Sequence, residues 1–388
     1  EPETVEAGAA VEALARGVID RGSNQDDVIA VQGGDVVRGL PRPIVDALRE
    51  ASEEMAHDDT FRGYPPEQGY DFLREAIVAK MKRFYDVDVV PEQVLVSDGA
   101  TGAFYTACLA LLKPGDEVIL FEPYYGYHRS TLTSLGAVPT FVRLEAPEWK
   151  LDMEALEAVV TPKTRGMVIC NPANPSGKVY TREELEAIGA FAEKHDLIVF
   201  SDEMYEHFLY DGAQHIPALS IPSLKERCVT MSGFSKVFSV TGWRLGYAIA
   251  PLHVIEAMAQ FNDLIYVCAP APLQIGAAVG LERLGDGYYA ELSQVHQHKR
   301  DLFCAALRDA GLSPSVPRGA YYIMTDVSGV NGSDDFEKAM DILEKTGVAS
   351  VPGRAFYHDD AGKNMVRFCY SKPLEVLQEA AERIRKLR

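Results

Sequence analysis

Two basic side chains eight residues apart carry the strongest chemical signal in this chain. Lys236 lies in Ser232-Gly-Phe-Ser-Lys-Val-Phe-Ser-Val-Thr-Gly-Trp-Arg244-Leu-Gly, a loop of mostly small residues. The apolar run Cys228-Val-Thr-Met231 precedes it and Leu245-Gly-Tyr-Ala-Ile-Ala250 follows, so the lysine falls just past an expected strand end. A lysine amine forms Schiff bases with aldehydes. An arginine grips a phosphate through paired, charge-assisted hydrogen bonds. A phosphate-bearing aldehyde answers to both, and pyridoxal phosphate is such a molecule. The competing reading is a solvated surface charge, the usual state of a lysine.

Other chemically capable residues also follow expected strands. Ser97-Asp-Gly99-Ala100-Thr101-Gly102 joins a strand to a helix, where exposed backbone N–H groups can bind phosphate; a plain helix cap would look the same. Glu122-Pro-Tyr124-Tyr125-Gly-Tyr127-His128 supplies aromatic faces suited to a planar ring or to ordinary packing. In Asn171-Pro-Ala-Asn174-Pro-Ser-Gly177, prolines stiffen the backbone while an amide stays free to donate and accept. Asp202 ends an apolar run, where a carboxylate needs a partner. It can keep a pyridine nitrogen protonated, or act as a helix cap. Tyr205 can donate to a ring oxygen, and Glu203 reads as structural. Arg367, in Val366-Arg-Phe-Cys369, calls for a carboxylate, either from a substrate or from an internal salt bridge. Gln32-Gly-Gly34-Asp35 allows close backbone approach, or is an ordinary turn. No metal site is expected.

Taken together and in order, these motifs resemble those of the class I/II aminotransferases of the aspartate aminotransferase superfamily, over nearly the whole chain. The resemblance implies that Lys236 holds pyridoxal phosphate as a Schiff base. It implies that Gly99, Ala100, Thr101 and Arg244 hold the phosphate, with a hydroxyl from Ser232 or Ser235. Tyr125 would stack on the ring, and Asn174 and Tyr205 would contact its oxygen. Arg367 would bind the substrate α-carboxylate, with Gly34 and Asn174 beside it. Tyr64, on a loop stiffened by Pro65 and Pro66, would reach the phosphate of a neighbouring subunit, so a homodimer is expected. The chain departs from the family where Asp35-Val36 replaces Glu-Pro, where Gly233 replaces a serine, and where His128 replaces a frequent tyrosine.

The implied reaction is ping-pong transfer of an amino group from an L-amino acid to a 2-oxo acid. A β-lyase or an aminocyclopropane-carboxylate synthase shares the same motifs. A ligand-sensing regulator of this fold would carry an added basic DNA-binding domain. Some relatives that act on aspartate have lysine where Thr101 stands. With Thr101 there and Asp35 in the loop, the expected donor is neutral or aromatic, with 2-oxoglutarate or pyruvate as acceptor.

Composition sets the bounds. With 388 residues, 47% apolar and 24% charged, the chain is globular and long enough for two domains. A net charge of −19 argues against nucleic acid as a partner. No apolar run reaches the length of a membrane span. Six scattered cysteines without a C-x-x-C read as reduced, and the expected location is cytoplasmic. The chain begins with Glu1, which leaves a removed leader or tag open.

The elements that must position these residues are continuous apolar runs alternating with helical patterns. Strands are expected at 94–97, 118–121, 140–143, 167–170, 197–200, 229–231 and 247–250. Helices are expected at 43–55, 72–84, 181–195, 287–309, 334–345 and 374–386, with one more in an N-terminal arm from Ala9 to Asp20. Fully apolar strands alternating with helices predict an α/β fold with a mostly parallel seven-stranded sheet covered on both faces. The division expected is an arm with part of a small domain over 1–45, a large domain over 46–288 and a small α+β domain over 289–388.

Overall fold

A computed structural model describes residues 28–36, 38–57 and 61–387. The expected helix Ala9–Asp20 lies outside them. The strands are β1 (Ile29–Ala30), β2 (Val94–Ser97), β3 (Glu117–Glu122), β4 (Val138–Arg143), β5 (Thr164–Cys170), β6 (Ile198–Asp202), β7 (Cys228–Gly233), β8 (Gly246–Ile249), β9 (Ser313–Pro314), β10 (Tyr322–Asp326), β11 (Val348–Ala349), β12 (Val351–Pro352) and β13 (Met365–Cys369). The helices are α1 (Arg42–His57), α2 (Asp71–Tyr85), α3 (Gly99–Leu111), α4 (Gly126–Ser134), α5 (Met153–Ala158), α6 (Arg182–Lys194), α7 (Leu252–Tyr266), α8 (Ala271–Arg283), α9 (Asp286–Asp309), α10 (Asp335–Thr346) and α11 (Leu374–Ile384). None is long and apolar enough to cross a membrane among the described residues.

Seven strands form one sheet in the order β2-β8-β7-β6-β5-β3-β4. β7, β6, β5, β3 and β4 pair in parallel, while β8 runs antiparallel to both β7 and β2. Successive residues of β3 show why the strands are apolar throughout. Val118 and Leu120 join one buried cluster with Phe104 of α3 and Met258 of α7, while Ile119 and Phe121 join another with Leu185 and Ile188 of α6. Side chains alternate across a strand, so a sheet covered on both faces needs apolar residues at every position.

β4 starts two residues earlier than its apolar run suggested and includes Pro139. It is the outermost strand, and a proline, lacking an N–H, is tolerated at a sheet edge. The cap of α6 forms as read. Thr181 Oγ1 accepts from Glu184 N at 3.2 Å, and Glu184 Oε2 accepts from Thr181 N at 3.0 Å. Such a box contributes roughly 1 kcal/mol.

A second, antiparallel sheet has the order β12-β13-β10-β9, with Arg367 facing Met324 in register. β1 pairs in parallel with β11, and just beyond it Cys369 N donates to Val31 O at 2.7 Å. Those contacts bring residues 32–35 alongside β13.

Candidate active site

A cavity of about 770 Å³ opens where the sheet's strand ends meet residues 32–35 and the antiparallel sheet. β2, β3, β5, β6 and β7 all end at this edge, the usual place for ligands of an α/β sheet. Arg244 precedes its strand, yet reaches the same edge because β8 runs the opposite way.

Gly99, Ala100 and Thr101 open α3, a helix whose first N–H groups have no intrahelical acceptor. Gly99 has φ +70°, and a Cβ there would lie 2.6 Å from Arg244 Nη2. Arg244 is itself left-handed, at φ 52°, and donates to Thr241 O at 3.0 Å. Glycine thus lets a guanidinium lie close over the helix N-terminus. Ser235 lines the cavity beside them. Ser232 does not: it is buried on β7, and its hydroxyl donates to Glu206 Oε1 at 2.8 Å. Of the two serines read from the motif, only Ser235 faces the cavity.

Lys236 is half-buried, and its Nζ donates to Gly34 O at 2.9 Å. Burial pushes its pKa below the ordinary lysine value, which favours the neutral, nucleophilic amine. Asp202 is the last residue of β6, not the first beyond it, and is 8% exposed. His128 Nε2 lies 3.0 Å from Asp202 Oδ2. The sequence marked His128 only as a replacement for a frequent tyrosine, and nothing local announces a partner 74 positions away. Tyr125 lines the cavity, with its ring 5.2 Å from that of Tyr127 and stacked on it.

Tyr205 lies 3.1 Å, hydroxyl to hydroxyl, from Tyr322, and burial raises both pKa values, Tyr322 to about 12. Arg367 Nη1 donates to Asn174 Oδ1 at 3.0 Å, and its Nη2 donates to Gln32 O at 3.0 Å. The guanidinium also sits 4.4 Å from the centre of the Tyr322 ring. Sequence reading missed Tyr322, which carried no signal beyond its place in a strand. Gly34 O accepts from Tyr321 Oη at 2.7 Å, and a Cβ on Gly34 would lie 2.4 Å from Tyr322 Oη. That contact is why a glycine stands there. Tyr64 is 85% exposed and does not line the cavity of its own chain.

An amine, a helix N-terminus overlaid by a guanidinium and a buried carboxylate around one cavity suit a phosphate-bearing aldehyde with a basic ring. Comparison with known proteins agrees. Residues 36–384 match the family model of aminotransferase class I and II. The chain is 35% identical to an aspartate aminotransferase of Pyrococcus abyssi, covering 96% of this chain and 94% of the relative. It is 34% identical to an aromatic-amino-acid aminotransferase of Thermococcus litoralis, covering 91% and 92%. The solved N-succinyldiaminopimelate aminotransferase of Mycobacterium tuberculosis superposes with a TM-score of 0.90 at 32% identity, covering 100% of this chain and 98% of that one. The chain belongs to the class I and II aminotransferase family. It is an aminotransferase, and its cofactor is pyridoxal phosphate, as in that family. The residues present fit that cofactor: Arg244 over Gly99 leaves cationic and N–H donors for a phosphate, and Asp202 suits a protonated ring nitrogen.

Proposed function

We propose that this aminotransferase takes the amino group of a neutral or aromatic L-amino acid and passes it to a 2-oxo acid in two ping-pong half-reactions. The observation that carries the donor class is the set of charges in the cavity. Lys236, Arg244 and Arg367 are its lysine and arginine side chains among the described residues, and Asp35 adds a carboxylate. In this reading Lys236 serves the aldehyde, Arg244 the phosphate and Arg367 the substrate α-carboxylate. A second substrate carboxylate would then stay unpaired in a desolvated site. Tyr125, Tyr127, Tyr322 and Phe356 offer aromatic surface instead.

Each side chain has a task. Lys236 Nζ would hold the aldehyde of the cofactor and, as a free amine, would take the proton from substrate Cα. Asp202 holds a proton on the pyridine nitrogen, and His128 orients that carboxylate. When bound, pyridoxal phosphate delocalises the electron pair left on Cα. Gly99, Ala100 and Thr101, with Ser235 and Arg244, hold the phosphate. Tyr125 covers a ring face, and Tyr205 and Asn174 donate toward the ring oxygen. Gly34 keeps the substrate side open, and Arg367 clamps the α-carboxylate.

The active unit in this reading is a homodimer in which Tyr64 completes the partner's phosphate site. The exposure of Tyr64, and of Leu264 at 79%, supports a protein partner on those surfaces. Residues 46–288 form the cofactor-binding domain, and 1–45 with 289–388 the smaller one. Six unpaired cysteines support a reducing, cytoplasmic location.

The test of the donor class is a half-reaction screen. Each amino acid is mixed with the pyridoxal-loaded enzyme and the loss of its lysine-bound absorbance is followed. Phenylalanine, methionine or alanine should exceed aspartate in kcat/KM by about 10-fold or more, the usual cost of an unpaired polar group. A clear preference for aspartate overturns the donor class. Release of pyruvate and ammonia without an acceptor would indicate a β-lyase. Sedimentation of a fully active monomer overturns the dimer.

A further inference from the structure

The segment that ends β6 faces two ways. Asp202, Met204 and Tyr205 line the cavity. Glu203 and Glu206 do not, and they are 2% and 6% exposed. Glu203 accepts from Ser201 Oγ, Ala218 N and His215 Nε2, each at 2.8 Å, so it ties down the loop behind the sheet. Glu206 makes more distant connections. Its Oε2 accepts from Lys80 of α2 and, at 2.5 Å, from Tyr85 Oη at the end of that helix. Its Oε1 accepts from Ser232 Oγ of β7 at 2.8 Å. Lys80 also donates to Tyr247 Oη at 3.0 Å, and Tyr247 is the register partner of Ser232 across β7 and β8.

Both charges of this pair persist. Burial alone would push Lys80 down, but the Glu206 carboxylate outweighs it and holds the ammonium above its ordinary value. Burial likewise opposes a charged Glu206, and Lys80 leads the interactions that keep its carboxyl well below the usual range. A buried ion pair is seldom a net source of stability compared with apolar residues of the same volume. What this one joins is specific: the segment bearing Asp202 and Tyr205, the strand that ends three residues before Lys236, and α2.

We propose that Glu206, paired with Lys80, is a positioning residue that fixes Asp202 and Tyr205 relative to Lys236 from behind the cavity, through its hydrogen bonds to Ser232 and Tyr85. This rests on the reading that Lys236 and Asp202 hold the cofactor. It also accounts for Ser232, whose place in the lysine motif serves this anchor and not the phosphate.

The experiment compares two neutral double variants in the holoenzyme, Lys80→Met with Glu206→Leu and Lys80→Met with Glu206→Gln. Neither leaves a buried charge unpaired, and they differ in whether residue 206 can hydrogen-bond to Ser232 and Tyr85, Gln accepting from one hydroxyl through its oxygen and donating to the other through its amide nitrogen. Thermal midpoint, pyridoxal phosphate dissociation constant, the absorbance of the bound cofactor across pH, kcat and KM are measured for each. The Leu version should lose about 30-fold in kcat with KM changed less than about 3-fold, and shift the cofactor absorbance titration, as small misplacements of reacting groups do. The Gln version should recover at least about 5-fold of that loss. Parental kcat and parental absorbance in the Leu version overturn the proposal, as do equal losses in the two versions. If the Leu version does not fold, Ser232→Ala decides. It should lower kcat about 5-fold and move the absorbance titration, and no change in either overturns the proposal. An unmodified chain that binds no pyridoxal phosphate overturns this inference and the cofactor reading together. Normal binding with unresponsive variants overturns this inference alone.

Discussion

The sheet-side wall of the cavity takes Ala100, Tyr125, Asp202, Ser235 and Lys236 from the ends of strands in one sheet. The opposite wall gathers Gln32 to Asp35, Tyr322, Val351, Phe356 and Arg367, where one contact spans 335 residues. On the first wall each residue is placed by its own strand and the turn that follows. On the second, placement comes from cross-strand register and from a few hydrogen bonds, chiefly Cys369 N to Val31 O and Arg367 Nη2 to Gln32 O. The walls meet at Gly34, whose carbonyl accepts from both Lys236 and Tyr321. A sheet held in two apolar clusters is a rigid mount for reacting groups. A short segment laid along β13 can be altered with less effect on the chemistry, and so suits the choice of substrate.

If that division holds, sheet-side substitutions should act on kcat and those opposite on KM. Lys236→Ala should give the largest effect, at least about 10⁴-fold in kcat, because in the proposed reading it removes both nucleophile and proton carrier. Borohydride reduction followed by peptide mapping should label Lys236 in the parent, and a label on another lysine would break the assignment. Asp202→Asn should lower kcat on the order of 10³-fold while cofactor remains bound, read by stopped-flow half-reactions. Near-normal turnover would refute its role. Across the cavity, Arg367→Lys gives up bidentate geometry and should raise KM for the donor about 10- to 100-fold with a smaller change in kcat. A kcat loss as large as that of Asp202→Asn would erase the contrast between the walls. Gly34→Ala must displace the Tyr322 hydroxyl, and should destabilise by about 1–3 kcal/mol in thermal melts, with KM rising several-fold. The gentlest probe is pH. Because burial lowers the Lys236 pKa, more of its amine is neutral at a given pH than for a free lysine. Cofactor capture by the apo-enzyme should therefore rise with pH and level off below the ordinary lysine range. A midpoint at or above that range would contradict the burial argument.

Much of this molecule was determined by sequence alone, wherever the cause is local. All seven strands of the large sheet were legible, and most of them because a strand buried on both faces must be apolar at consecutive positions; the edge strand β4, with one buried residue, showed only a shorter run. The Thr181–Glu184 cap was legible because its donors and acceptors lie within four residues. That Lys236, Asp202 and Asn174 line one cavity follows from local pattern, because each sits in or beside the turn that follows a strand. Tertiary structure decided what depends on distant partners. Only the placement of Glu206 separates Ser232 from Ser235, since both serines are buried and both stand within the same motif. Only the assembled fold sets His128 of α4 on Asp202, and only the pairing of β10 with β13 sets the Tyr322 ring against Arg367. A strand announces itself through a hydrophobic pattern a few residues long. A hydrogen bond between residues 74 or 335 positions apart has no local pattern to betray it, because the geometry that makes it exists only once the sheets have assembled.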